Sequence, residues 1–275
     1  LGVFFLIPLG IMIVYSFPEP GLYGGVEWNW YPYNYGRIIG WPLNDYETFE
    51  PIYLSIFLGS VKIALLTVLV SLLICYPAAF WVSRMSEPRK SFVLFLITLP
   101  FFANLLVRIY AWLLLLRPSG FINMALESLG LIAQPLDMLF SSFAVIVGMV
   151  YIFTPFMFLP IYANVEKLDF SLVRASQDLG ATPVQTFLRV ILPLTVPGIA
   201  GGSIIVFIPA LGNFIVPAFL GGSKVQMTGN LIERSFLQSR DWPFGAALSL
   251  LIMGSVVIIV MFQVIRSTRQ NRGAA

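Results

Sequence analysis

The sequence predicts an all-α polytopic membrane protein, and three observations carry that prediction. Of its 275 residues, 58% are hydrophobic and only 11% are charged, whereas a soluble domain carries about 25% charged residues. Six apolar runs recur along the chain, each near the roughly 20 residues with which a helix crosses a bilayer. No polar stretch between them is long enough to build a soluble domain, so residues 1–275 read as a single transmembrane domain with loops.

Span one is placed at about residues 1–17. Residue 1 is Leu and lies inside the apolar run, so the N-terminus reads as trimmed. No small-residue cleavage site interrupts the run, which favours a first span over a cleaved signal peptide. An outer loop follows at residues 18–52. It sets the acids Glu19, Glu27, Asp45, Glu47 and Glu50 against one base, Arg37, and is dense in Trp and Tyr: Tyr23, Trp28, Trp30, Tyr31, Tyr33, Tyr35, Trp41 and Tyr46. Two readings stand for it. One is a docking surface for a solute receptor or a vestibule that attracts cations. The other is an aromatic belt at the membrane interface.

Span two is placed at about 53–82, long enough to tilt or to project beyond the bilayer. Span three follows at about 91–116. Residues 121–131 carry apolar residues at helical spacing, with Asn123, Glu127 and Ser128 opposite, which predicts a short helix on the outer surface. Spans four, five and six are placed at about 141–164, 195–219 and 243–265.

Orientation follows from the loop cations. One side holds Arg84, Arg89, Lys90, Lys167, Arg174, Arg189, Arg266, Arg269 and Arg272; the other holds Arg37, Arg117, Lys224, Arg234 and Arg240. The richer side is expected to be cytoplasmic, which puts both termini and residues 173–193 inside. Lys62 and Arg108 lie within spans, where a charge is costly and calls for a partner.

The chain has no histidine, which removes the commonest metal ligand and general base. Its one cysteine, Cys75, sits in an apolar run. No Gly-Lys-Ser/Thr loop of the kind that cradles phosphate is present. No catalytic residue, metal ligand or cofactor is therefore assigned. The chain reads as no enzyme, with its energy supplied by a partner.

The segment VRASQDLGATPVQTFLRVILP, residues 173–193, is a charged insert between two apolar runs. Thr182-Pro183-Val184-Gln185 is a capping box with Pro at the first helical position, so a helix starts at Pro183 and continues toward Leu192. Gly180 is placed to end the preceding helix, since it tolerates the left-handed backbone found there. Leu172, Ala175 and Leu179 share one face of that first helix. Ala175 and Ser176 are small enough to admit a partner's backbone. Arg174 and Asp178 stand four apart in the weaker orientation for a helical ion pair.

This segment resembles the cytoplasmic EAA loop of ABC-importer permeases. The family pattern is Glu-Ala-Ala, three residues, Gly, nine residues, Ile, any residue, Leu-Pro. Arg174-Ala175-Ser176, Gly180, Val190, Leu192 and Pro193 keep that spacing, with Arg174 replacing the acid and Ser176 the second Ala. Other segments resemble the putrescine/spermidine importer permeases: NLLVRIYAW at 104–112, VYIFTPFMFLPIY at 150–162, residues 207–212, FLGG at 219–222 and RDWPFG at 240–245. Residues 1–60 match poorly.

The resemblance implies a type I importer fold of six spans in a bacterial inner membrane. Residues 18–52 become a periplasmic loop and residues 165–193 the coupling loop. Arg174, Ala175, Ser176, Asp178, Gly180, Ala181, Thr182 and Pro183 become the contact with the ATPase. The implied partners are an ABC ATPase homodimer that binds the ATP and magnesium, a second permease subunit, a periplasmic solute-binding protein, a polyamine substrate and membrane lipid, with no nucleic acid. Rival readings are the same architecture importing another amine or an amino-acid-like solute, and an ATP-independent carrier or channel.

Span five is rich in breakers: Pro197, Gly198, Gly201, Gly202, Pro209, Gly212 and Pro217. Broken helices often mark transport sites, so Pro209–Pro217 is placed beside the substrate pathway; a tightly packed helix without substrate contact is the alternative. Within this run Asn213 offers an acceptor to an ammonium, and Phe207 and Phe214 offer ring faces worth about 0.5–2 kcal/mol to a cation. Glu233, Asp241 and Trp242 flank span six on the outer side, as a cation gate or as an ordinary interfacial turn. Tyr110, in the RIYAW stretch, joins the candidate pathway. Arg108 is expected to be structural, and Lys62 has no account.

Overall fold

The computed structural model describes residues 2–41 and 49–272, with the side chains of Phe5, Val264 and residues beyond Ile265 left aside. Asp45, Tyr46 and Glu47 of the acidic, aromatic loop lie outside the described residues, as do the side chains of Arg266, Arg269 and Arg272. The fold is helical, and among the described residues five segments are long and apolar enough to span a membrane: Ile52–Ser83, Leu105–Ser128, Ser142–Glu166, Pro183–Leu211 and Trp242–Gln263. A sixth apolar helix, α1 (Gly2–Tyr15), is shorter. The chain divides into two compact units, Leu1–Lys62 with Leu211–Ala275, and Ile63–Ala210.

In the first unit the expected outer loop carries structure of its own. Strands β1 (Pro18–Pro20) and β2 (Val26–Trp30) pair antiparallel, and helix α2 (Tyr33–Ile39) follows. Phe17 stacks on Trp30 at 4.8 Å, so part of the aromatic content serves hairpin packing. Asn34 is fully buried because its amide donates to the Ser16 and Pro18 carbonyls at 3.1 and 3.0 Å. Helix α11 (Thr228–Leu237) and α12 (Trp242–Arg272) complete the unit. Ile38, Leu231, Phe244, Ala247 and Leu248 form its core, with Tyr53 and Ile56 from α3 (Ile52–Ser83) packed against them.

The second unit is built around α7 (Ser142–Glu166), where Met149, Met157 and Ile161 are fully buried. Helix α10 (Leu192–Leu211) approaches α7 through Gly198 and Gly202, a four-residue spacing of small residues that lets helix backbones close in. A Cβ on Gly198 would stand 2.6 Å from the Asn164 Cβ, and one on Gly202 3.1 Å from the Met157 carbonyl.

Three expectations are corrected. Span three is two helices, α4 (Glu87–Thr98) and α5 (Leu105–Leu116), parted by a 3-10 turn at Leu99–Phe102 and by Asn104, whose side chain caps α5 through the Leu106 amide at 2.8 Å. Pro100 cannot donate a helical hydrogen bond, and Asn104 supplies a new start. Span five begins earlier than residue 195: α9 (Pro183–Thr186), a π turn at Phe187–Ile191 and α10 run without a break as Pro183–Leu211. It also ends earlier, at Leu211 rather than 219.

The third correction concerns α6 (Phe121–Ser128). Asn123, expected on its polar outer face, is fully buried: it accepts from the Leu136 amide at 2.9 Å and donates to the Leu136 and Arg117 carbonyls. Glu127 and Ser128 are exposed as expected, and the apolar Phe121 and Met124 are exposed as well. A polar side chain turns inward when it satisfies backbone groups that a tight connection leaves open.

Candidate functional site

The polar insert folds as two short helices set at a corner. Asp169 opens α8 (Phe170–Asp178) by accepting from the Ser171 amide at 2.8 Å. That hydrogen bond holds the Asp169 carboxyl below the usual carboxylate value. The helix closes at Gly180, with φ of 83°, and the Gly180 and Ala181 amides return to the Gln177 and Ser176 carbonyls at 2.9 and 3.1 Å. Thr182 then opens α9 with both halves of the capping box in place: the Gln185 amide to Thr182 Oγ1 at 3.3 Å, and the Thr182 amide to Gln185 Oε1 at 3.0 Å. Ser176 and Thr186 join hydroxyls across the corner at 3.0 Å.

The expected coupling residues are brought together on this corner. Arg174, Ala175, Asp178, Gly180, Thr182 and Pro183 are exposed, while Ser176 and Ala181 are half-buried. Leu179 is 89% exposed and Leu172 48%, with exposed Ala175 on the same face. Leu172 and Leu179 are thus large apolar side chains held open on a capped helix pair. Among the described residues, Arg174 and Asp178 form no ion pair with each other.

Ties that sequence reasoning missed anchor this corner. Arg84, at the end of α3, lies over the rings of Phe80 at 4.4 Å and Phe170 at 5.4 Å. The Tyr76 hydroxyl meets Thr195 Oγ1 at 2.9 Å, and its ring meets Phe187 edge-on. Lys90 pairs with Glu166 at 3.0 Å. Arg84 with Phe170, Tyr76 with Thr195 and Lys90 with Glu166 join residues far apart in the chain, and no local spacing announces them.

The candidate pathway residues fall in separate places. Phe207 is buried in α10 and Tyr110 is exposed on α5, both in the second unit. The others belong to the first unit. Helix α10 ends just before Gly212, and the Asn213 side chain accepts from the Val216 amide at 2.9 Å, capping the short helical segment that resumes and widens into a π turn at Pro217–Gly221. The break therefore falls at 212–214, inside the expected Pro209–Pro217 stretch. Helix α11 abuts it. Asn230 donates to the Phe214 carbonyl at 2.8 Å, and a Cβ on Gly229 would stand 2.6 Å from the Gly212 and Asn213 carbonyls. Ser60 of α3 accepts from the Thr228 amide at 2.8 Å, so the start of α11 is held from two sides. Phe214 is 43% exposed beside the break, and Glu233 lies one turn along α11, half-buried.

Asp241 is engaged rather than open. It pairs with Arg37 at 2.9 Å and accepts from the Phe244 amide at 3.1 Å, starting α12. Arg37 also lies 4.2 Å above the Phe244 ring. Trp242 is 40% exposed beside it. Of the two cations within spans, Lys62 is exposed, and Arg108 keeps a buried Nε without a hydrogen-bond partner.

Apolar helices of spanning length that carry a capped, exposed helix pair define a multi-span membrane protein with a polar insert. Residues 72–270 match the family model described as binding-protein-dependent transport system inner membrane component. The chain belongs to that family: it is the inner membrane component of a transport system. It is 41% identical to the spermidine/putrescine transport system permease protein PotB of Salmonella typhimurium over 229 residues, 82% of this chain and 76% of the relative. It is 42% identical to PotB of Escherichia coli over 213 residues, 76% of this chain and 78% of the relative. It is 34% identical to the inner membrane ABC transporter permease protein YdcU of Escherichia coli over 228 residues, 78% of this chain and 71% of the relative. A solved bacterial ABC transporter involved in importing the acidic polysaccharide alginate superposes with a TM-score of 0.74 at 19% identity, over 98% of this chain and 91% of that one. That likeness concerns the fold.

Proposed function

We propose that this chain is a permease subunit of an ATP-driven ABC importer and that its cargo is a polyamine, putrescine or spermidine. The open apolar face Leu172, Ala175 and Leu179, on a helix pair fixed by caps at both ends, carries the docking part of the reading. An ATPase homodimer, which binds the ATP and magnesium, receives this corner from the cytoplasm, with both chain termini on the same side. Arg174, Ala175, Ser176, Asp178, Gly180, Ala181, Thr182 and Pro183 form the contact. A second permease completes the pathway, and a periplasmic binding protein delivers the solute to the face that carries residues 18–52.

The cargo rests on the named function of relatives about two-fifths identical across most of the chain. Phe214 and Glu233, near the break at 212–214, are the groups of the first unit offered to an ammonium, beside Asn213, whose side-chain oxygen already accepts from the Val216 amide. Asp241 and Trp242 hold the outer end of α12, where Arg37 already balances the carboxylate. Deleting residues 175–189 should abolish spermidine uptake by the assembled transporter while the chain still reaches the membrane; uptake that survives the deletion overturns the docking reading. A cognate binding protein that ignores putrescine and spermidine but retains an amino acid overturns the cargo.

A further inference from the structure

Lys90 occupies the first turn of α4, yet only 10% of its side chain is exposed. Its ammonium donates to Glu87 at 2.7 Å and to Glu166 at 3.0 Å. Glu166 is the last residue of α7 and accepts the Tyr162 hydroxyl at 2.6 Å, one helical turn back. Phe170 follows four positions later as the first residue of docking helix α8. The contact therefore joins the start of α4 to the root of the docking segment.

The clasp is enclosed on the lysine side, while its carboxylates stay open to solvent, Glu166 at 42% and Glu87 at 82%. Exposed pairs contribute little and hold no geometry. A nearly buried ammonium persists only where acceptors are fixed around it, because removing one partner leaves the charge uncompensated. One Glu166 oxygen, Oε1, accepts from both the Tyr162 hydroxyl and the Lys90 ammonium, so the tyrosine holds in place the atom that Lys90 uses. Arg84 over Phe80 and Phe170 supplies a second grip on the same root, from α3.

We propose that Lys90 is a positioning residue for transport coupling: through Glu166 it makes the start of α4 and the root of the docking helices one body, so that α4 moves with the docking segment as the ATPase partner cycles. This inference rests on the docking reading above. Arg89 and Lys167 flank the clasp and are both exposed. The test places spin labels at Arg89→Cys and Lys167→Cys in the complete transporter in lipid nanodiscs; Cys75, the native cysteine, is buried and takes no label.

The expected result is one narrow inter-label distance, the same without nucleotide and with ATP plus vanadate. Lys90→Met should broaden that distance, make it depend on nucleotide, and lower the spermidine moved per ATP by about tenfold, within the range of site-to-site couplings. Lys90→Arg should restore both. If Lys90→Met fails to assemble, Tyr162→Phe removes a single hydroxyl and should give the same change at smaller amplitude. A distance that shifts with nucleotide in the labelled protein without further change overturns the proposal. So does a Lys90→Met protein with unaltered distance and stoichiometry. A transporter that hydrolyses ATP but moves no spermidine overturns the cargo and leaves the distance reading decisive. A chain that recruits no ATPase overturns docking, and the clasp with it.

Discussion

Ser176 Oγ lies 3.0 Å from Thr186 Oγ1, bridging α8 and α9 at the position where the loop's sequence departs from Ala. Thr186 is 2% exposed, so its hydroxyl depends on this partner. Ser176→Ala is expected to cost about 1–3 kcal/mol, the penalty for a buried polar group left unpaired. Ser176→Ala combined with Thr186→Val should recover most of the loss, because both ends of the bond leave together. Unfolding temperatures of the purified complex give the comparison, and a double variant as weak as the single one counts against the bridge.

Gly198 and Gly201 make a paired experiment on one helix. A methyl at Gly198 meets the Asn164 Cβ at 2.6 Å and the Pro160 carbonyl at 2.9 Å, while one at Gly201 meets nothing within 4 Å. Gly198→Ala should destabilise by about 1–3 kcal/mol through overpacking. Gly201→Ala should be neutral, or stabilising by up to about 1 kcal/mol from helix propensity. Thermal melts of the two variants in the same detergent separate these outcomes, and equal losses would remove the close approach as their cause.

Asp241 serves two bonds at once, to Arg37 and to the Phe244 amide. Asp241→Asn keeps a good cap and gives up only the ion pair, so its cost should be about 1 kcal/mol. Asp241→Ala loses the cap as well, about 1 kcal/mol more, and strands the partly buried guanidinium. Melting of each variant beside its spermidine uptake distinguishes a structural carboxylate from a pathway one. Loss of uptake in Asp241→Asn at unchanged melting temperature assigns it to the pathway.

Asp169 introduces a pH dependence at the start of α8. Its folded pKa is lowered by the hydrogen bond from the Ser171 backbone and then by that residue's side chain. A depressed pKa contributes stability above the unfolded value near 3.8, and the contribution is lost as pH falls through the folded one. Amide exchange at Ser171 and Leu172, corrected for intrinsic rate, should therefore rise only below about pH 4. Asp169→Asn should flatten that rise; an unchanged profile would show that the cap does not titrate there.

What could be read from the sequence was local or long. The Thr182–Gln185 box, the stop at Gly180 and the extents of α3 and α7 follow from neighbours in the chain or from sheer apolar length. The split of span three had signals in Pro100 and Asn104, but an uninterrupted apolar run outweighed them. The start of span five was hidden because Pro193 reads as a helix breaker. Its ring opposes the carbonyl four residues back, on Arg189, and the π turn at Phe187–Ile191 widens the helix there and absorbs the conflict. Arg37 with Asp241 and Lys90 with Glu166 join partners 204 and 76 residues apart, and nothing near either residue announces the other.

The unbroken helix from Pro183 to Leu211 restricts how this gene can change. One residue inserted into a regular helix rotates everything beyond it by about 100° and advances it about 1.5 Å. Over these 29 residues, a single-codon insertion or deletion in a regular stretch would turn the side chains before it to a different face from those after it. The π turn is the form in which a helix accommodates one extra residue without that rotation. Length variation in this segment is therefore expected to appear as π turns gained or lost between residues 187 and 191, which keeps the faces of the helix on either side in register.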